Sequence, residues 1–371
     1  METKSVTITD PLFDEAAIQA AGRALAEGAL VVFPTETVYG LGASAVHPAA
    51  VDALSRLKNR TPDKPFTLHL ADPQEAEPFS GPLPLVARRL MRRVWPGPLT
   101  LVVPDRRPER GKPPGLVEEA IYHAGTVGLR CPKHAVGQAI LRAAGVPVVG
   151  TSANLGGRPA PRRASDALAD LSGLVPLIVD SGPTAYAQAS TVVLVNADDS
   201  YEVLREGAVP ARRLQRLART RILLVCTGNV CRSPMAAGLA RHLLARRFGW
   251  PPQELSRHGI EVASAGTGAV FGYPASDNAR RVMAERGIDI TDHQSRPLTV
   301  DSLLASDYIW VMTRDHLEAA AGLAPEAAPR MVLVDPSGRE VPDPMGGDAA
   351  AYRECADQIE EALTERLAEI V

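Results

Sequence analysis

A short apolar run, Ile222-Leu223-Leu224-Val225, passes through the polar segment Cys226-Thr227-Gly228-Asn229-Val230-Cys231-Arg232-Ser233-Pro234 and straight into a helical pattern over 235–247. A buried strand that turns at once into a helix reaches its next strand by a crossover, and crossovers build parallel sheet. The rhythm repeats: an extended 260–263 precedes a helical 276–286, 308–312 precedes a shorter helix, and 331–334 precedes a loop and a helical 352–370. These βα units predict a compact, doubly wound, four-stranded parallel sheet over 221–371.

Residues 1–210 alternate differently. Helical spacing over 14–27, 51–57, 85–94 and 134–144 is interleaved with extended runs at 29–34, 66–70, 99–103, 126–129 and 146–149, with more around Leu177, Val193 and Val203. This predicts a mixed α/β domain with several strands near its C-terminal end. The Pro-, Gly- and charge-rich 104–115 predicts an exposed loop. Arg212, Arg213, Arg216, Arg219 and Arg221 stand with no acid between them, so 211–220 is expected to be an Arg-rich linker. A length of 371 residues suits two domains, and 45% hydrophobic with 22% charged residues excludes wholesale disorder. The net charge is −3, and neither half has the basic excess of a dedicated nucleic-acid binder. No basic stretch leads into an apolar leader, and no apolar run reaches about 18 residues, so a cytoplasmic protein with no membrane partner is expected. Four cysteines are too few for a disulfide scaffold.

The turn from 226 to 234 is suited to phosphate. Successive backbone N–H groups point inward at such a turn, and the following helix N-terminus adds positive potential. Cys226, at its start, sits where those dipoles favour thiolate, and Arg232 can fork two donors onto phosphate oxygens. The segment resembles the signature of the low-molecular-weight protein-tyrosine-phosphatase family, a Cys-x5-Arg-Ser loop followed by proline. Ser264-Ala265-Gly266, Asp292-His293-Gln294-Ser295-Arg296 and Asp343-Pro344 match further family stretches. The resemblance implies a flavodoxin-like fold and a metal-free phosphatase that uses no cofactor. In it Cys226 is the nucleophile, Arg232 binds the phosphoryl oxygens and Asp343 is the general acid and base. Thr227, Gly228, Asn229, Val230, Cys231 and Ser233 complete the loop, with Ser233 and Asn229 steadying it and a Cys226–Cys231 disulfide conceivable as protection. Thr227 and the Asp343-Pro344-Met345-Gly346-Gly347 stretch resemble the arginine-phosphatase branch, although Met345 replaces its aromatic residue. A phosphoarginine protein is therefore the substrate slightly preferred over phosphotyrosine.

In the first half, Lys58, Arg60 and Lys64 cluster around two prolines and could converge on a triphosphate. Around them stand Pro34-Thr35-Glu36-Thr37-Val38-Tyr39-Gly40-Leu41-Gly42, His69, Gly128-Leu129-Arg130 and Thr151-Ser152-Ala153-Asn154. Together and in order these resemble the YrdC/TsaC family of L-threonylcarbamoyladenylate synthases. The resemblance implies a YrdC-like mixed α/β fold over 1–210. It also implies a nucleotidyltransferase that joins L-threonine, bicarbonate and ATP, with Mg2+, into threonylcarbamoyl-AMP and pyrophosphate. A tRNA-modifying threonylcarbamoyltransferase would take up that adenylate. By position, Thr35, His69, Thr126, Arg130, Gly150 and Ser190 hold threonine, while Lys58, Arg60, Lys64, Ser152, Asn154, Ala160 and Arg205 surround ATP. Two other readings stay open at this level. The second half could be a regulatory or docking module, or the first half a nucleotide- or RNA-binding module beside an active phosphatase.

Overall fold

A computed structural model describes residues 2–61, 63–108, 114–368 and 370. The chain divides into two compact units, one up to Ala218 and one from Arg219.

The first unit is built on one mixed sheet. Its strands are β1 (Lys4–Thr7), β2 (Val31–Phe33), β3 (Gly40–Ser44), β4 (Thr67–His69), β5 (Leu99–Pro104), β6 (Tyr122–His123), β7 (Thr126–Arg130), β8 (Val148–Ser152), β9 (Leu177–Asp180), β10 (Thr191–Val195) and β11 (Tyr201–Arg205). They lie in the order β1-β9-β2-β3-β8-β4-β7-β5-β10-β11, with β6 paired to β7. The centre is antiparallel where β3 meets β8 and β8 meets β4, then parallel between β4 and β7. Helices Glu15–Ala26 and Ala135–Ala144 bury one cluster with Val31, Phe33 and Val148. They approach so closely that a Cβ at Gly22 would stand 2.5 Å from the Ala143 carbonyl carbon. A larger cluster fills the rest of the core, with Leu41, Leu68, Leu101 and Leu129 among its strand residues.

Sequence periodicity missed β1, β3 and β6. In β3 the residues are Gly-Leu-Gly-Ala-Ser, which carry almost no apolar alternation, yet all five are buried. A Cβ at Gly42 would lie 2.9 Å from the Phe33 ring, so small residues are what let this strand pair under it. One other expectation needs correcting. The Arg-rich stretch 211–220 is folded: Ala211–Leu217 is a helix with Leu214 in the core, and its end carbonyls Ala218 O and Leu217 O accept from Arg89 and Arg93. Of the loop 104–115, residues 109–113 lie outside the described residues. Before them Arg107 is packed, its guanidinium 3.9 Å over the Tyr122 ring and paired with Asp105.

The second unit has strands β12 (Thr220–Cys226), β13 (Ile260–Gly266), β14 (Tyr308–Val311) and β15 (Met331–Leu333), all parallel, in the order β13-β12-β14-β15. This is the doubly wound architecture predicted. Alternation along β12 sends Leu223 and Val225 into one core cluster with Leu303 and Ala320, from helices Val300–Ala305 and Arg314–Leu323. Helices Arg232–Phe248, Asp277–Glu285 and Ala349–Ala368 pack against one another. The catalytic-type loop therefore leaves the C-terminal end of a central strand, where open α/β sheets place their ligands.

Candidate active sites

In the first unit, the ends of β3, β4, β7, β8 and β10 surround a cavity of about 1000 Å3. Thr35, His69, Thr126, Arg130, Gly150 and Ser190 line it, and so do Lys58, Arg60, Lys64, Ser152, Ala160 and Arg205. Twelve of the thirteen residues expected there thus share one chamber. Asn154 stands behind the wall. Its Oδ1 and carbonyl accept from Lys58 Nζ at 3.1 and 2.6 Å, with Ser152 O at 3.0 Å, so it aims the lysine. Burial, then repulsion from Arg60, holds the Lys58 ammonium down at about 8. Arg60 curls onto the carbonyls of Lys64 and Pro65 and lies 4.3 Å over the Phe66 ring, which fixes the loop.

The opposite side of the cavity is built around two buried side chains. Arg130 donates through Nη2 to Thr37 Oγ1 at 2.6 Å and to Glu36 Oε1 at 3.0 Å. Glu36 is itself fixed, because its Oε2 accepts the Lys133 N–H at 3.0 Å. Arg130 Nε is buried and has no partner among the described residues, so the guanidinium retains an unused donor beside the cavity. His69 Nδ1 lies 3.2 Å from Thr67 O, an acceptor only, so Nδ1 carries the proton and Nε2 keeps a lone pair. Burial and then Arg130 push His69 down to about 3, which keeps the ring neutral. A Cβ at Gly150 would fall 2.6 Å from His69 Nδ1, so glycine is required for the imidazole to lie there. Ser190 is bridged to Thr100 and Arg205. Glu36 and Thr37 were not singled out from sequence, although both lie inside the motif that was read there.

In the second unit, the loop from Cys226 to Ser233 closes on itself. Cys226 Sγ is 3.0 Å from Ser233 Oγ, and Asn229 Nδ2 donates to Ser233 Oγ at 2.8 Å and Ser264 Oγ at 2.9 Å. Asn229 is left-handed, with φ 54°, and its Oδ1 and carbonyl are held by Arg296 N at 2.8 Å and His293 Nε2 at 2.7 Å. The thiol does not follow the sequence-based expectation of a lowered pKa. Burial pushes Cys226 up, while the Ser233 hydroxyl, the N–H groups of Ser233 and Asn229 and the Arg232 guanidinium pull it back without prevailing.

Arg232 reaches Asp343 Oδ2 at 2.5 Å and Val341 O at 3.1 Å, so the guanidinium and the carboxylate meet across the loop. Thr227 Oγ1 lies 2.8 Å from His316 Nε2, whose Nδ1 lies 2.8 Å from Thr313 Oγ1. Burial, then Arg232, lowers His316. Cys231 is a free thiol between Tyr352 and Ser276, and all four cysteines are free. Val230 O accepts from Ser276 N. A Cβ at Gly228 would meet only Val230 Cγ2, at 3.6 Å. His316 was not found from sequence, because no local pattern links it to a loop 89 residues away.

Comparison with known proteins matches each half separately. A Sua5–YciO–YrdC family model, described as telomere recombination, matches residues 23–207. A second, for the low-molecular-weight phosphotyrosine protein phosphatases, matches 221–371. A Mycobacterium tuberculosis protein provisionally named for threonylcarbamoyl-AMP synthase activity is 36% identical over 212 residues, 57% of this chain and 94% of that relative. The chain belongs to the Sua5–YciO–YrdC family and carries a low-molecular-weight phosphatase domain behind it. A threonylcarbamoyl-AMP synthase of Bacillus subtilis is 40% identical over 218 residues, 58% of this chain and 61% of that protein. This chain therefore spans about three fifths of that relative. A crystal structure of Pyrococcus abyssi Sua5 complexed with L-threonine shares the fold, with a TM-score of 0.53 at 24% identity over 71% of this chain and 92% of that one. Among the described residues no helix is long and apolar enough to cross a membrane.

Proposed function

We propose that the first half is an L-threonylcarbamoyladenylate synthase and the second a cysteine-dependent protein phosphatase, joined in one cytoplasmic protein. The observation that carries the first assignment is the single cavity with two chemically distinct sides. Lys58, Arg60, Lys64 and Arg205 present cations to phosphates, while Arg130, Thr35 and neutral His69 present donors and a lone pair to a zwitterion. Threonine would place its carboxylate on Arg130 and its ammonium toward His69 Nε2. Once the ammonium has lost a proton and the amine has condensed with bicarbonate to a carbamate with release of water, a carbamate oxygen bonds the α-phosphorus of ATP and the bond to pyrophosphate breaks. ATP enters as its Mg2+ complex, and the chain's cations stabilise charge gathering on the leaving phosphates. The adenylate then passes to a tRNA-modifying threonylcarbamoyltransferase. Threonine- and bicarbonate-dependent pyrophosphate release tests this. No release by the wild-type chain, or undiminished release after Arg130→Ala, would refute it.

For the second half, the carrying observation is that Arg232 and Asp343 meet in an ion pair across the loop at whose start Ser233 holds the Cys226 thiol. A phosphoryl group entering the loop draws Arg232 from Asp343. Asp343, released from Arg232, takes up the proton that the Cys226 thiol gives up, the resulting thiolate bonds phosphorus as the bond to the leaving group breaks, Asp343 passes its proton to that group, and Asp343 then takes a proton from water as the water releases phosphate from sulfur. Thr227 favours phosphoarginine over phosphotyrosine. Hydrolysis of both phosphopeptides by wild-type and Thr227→Ile tests the preference, with Cys226→Ser as the inactive control. An unchanged ratio in Thr227→Ile would refute the role of Thr227.

A further inference from the structure

Behind the phosphatase loop lies a groove of about 730 Å3 that no step above uses. Its floor is apolar, with Ala237, Gly238 and Ile290 packed so that a Cβ at Gly238 would stand 2.8 Å from Ile290 Cγ2. Two arginines face it, Arg241 and Arg296, and both also border an adjoining space of about 450 Å3. A third at that edge, Arg221, is neutralised by Glu261 at 2.6 Å. Among the described residues neither Arg241 nor Arg296 makes an ion pair, and Arg241 finds only the Val262 carbonyl at 3.1 Å. The groove's acids do not compensate them. Asp289 is turned onto the N–H and hydroxyl of Thr291, and Asp292 pairs with neither arginine among the described residues. Repulsion between the guanidiniums adds to burial in lowering Arg241, and both arginines push His293 down after burial does. Two adjacent unpaired cations over an apolar floor suit a ligand with a doubly charged oxyanion and a small apolar body.

The same walls hold the catalytic loop. Ser264, His293 and Arg296 line the groove, and each is bonded to Asn229. Asn229 in turn holds Ser233, which holds Cys226. We propose that this groove is a second anion site, taking a small phosphate monoester on Arg241 and Arg296, whose occupancy changes turnover at Cys226 through Asn229. The regulatory part rests on the phosphatase reading above.

The test is hydrolysis of p-nitrophenyl phosphate by the full chain at saturating substrate, titrated with inorganic phosphate or phenylphosphonate against chloride of equal ionic strength. Either probe bound only at the Cys226 loop competes with substrate and leaves kcat unchanged. A second site is expected to change kcat at least twofold. The effect should vanish in Arg241→Gln, persist in part in Arg241→Lys, and leave the basal kcat and melting temperature of both variants near wild type. Purely competitive behaviour in the wild-type chain, or a kcat effect that survives Arg241→Gln, overturns the proposal. If no arm shows turnover, the phosphatase reading has failed, and the site is read directly from the Arg241 and Arg296 side-chain N–H resonances. Shifts with either probe support the anion site, and unmoved resonances overturn it.

Discussion

Replacing Glu36 by glutamine removes one charge from a pair that has almost no solvent. Glu36 and Arg130 are 4% and 5% exposed and 3.0 Å apart. At an effective dielectric near 20, unit charges at that distance attract by roughly 5 kcal/mol, most of it offset by desolvation of both groups. The measurable loss comes from leaving Arg130 uncompensated. Breaking a buried pair from one side costs about 3–5 kcal/mol, and glutamine keeps an oxygen for Arg130 while setting its amide against the Lys133 N–H, so about 3 kcal/mol is expected. For a unit of this size that is a fall of roughly 6–12 °C in melting temperature. It should appear by calorimetry of the full chain in the transition that moves with ATP and threonine. Arg130 is also left with a neutral acceptor in place of the carboxylate that orients it, so KM for threonine should rise about tenfold or more while KM for ATP stays within about twofold, since a hydrogen bond between charged groups is worth about 1.5–3 kcal/mol. A melting shift under about 2 °C together with an unchanged KM for threonine would refute the idea that Glu36 positions Arg130.

Gly150→Ala drives a methyl into the His69 ring, and displacing that ring should cost about 1–3 kcal/mol, seen as a higher KM for threonine with ATP binding kept. If threonine kinetics do not change, His69 is not where threonine binds. Lys58 is protonated below about 8, so KM for ATP should rise as pH passes upward through that value, and Lys58→Arg should remove this limb. A limb that persists in the arginine variant belongs to another group. Asp343→Asn should lower kcat/KM, which reports transfer to Cys226, by about 10²–10⁴-fold on a phosphotyrosine peptide and by much less on p-nitrophenyl phosphate, whose leaving group needs little protonation. Equal losses of kcat/KM on both substrates would refute protonation of the leaving group by Asp343.

Much of both sites was readable because their residues lie in short runs. Cys226 to Ser233 is one turn, and its strand and helix were visible on each side of it. Lys58, Arg60 and Lys64 lie on one loop. What escaped were contacts across the chain. His316 meets Thr227 only because β14 lies beside β12, which puts the start of the helix after β14 next to the loop after β12. Asn154 is assigned to ATP by its place in the Ser152-Ala153-Asn154 motif, and only the fold shows that Lys58, from another element, donates to its oxygens. The Arg-rich 211–220 looked solvated because arginines dominate its composition. Leu214 and the carbonyls at the helix end, satisfied by Arg89 and Arg93, make 211–218 part of the first unit, and the division between the units falls inside the stretch, after Ala218.

By itself the sequence determined the order of βα units, the strand-turn-helix that carries Cys226 and Arg232, and the set of residues that gather on the first unit's cavity. Those depend on periodicity and on side-chain types at short spacing, which are local properties of a chain. Only the tertiary structure decided the protonation and pairing of those groups. Burial and neighbouring charges, set by elements distant in sequence, keep His69 neutral, hold Lys58 near 8, raise Cys226 and join Arg232 to Asp343.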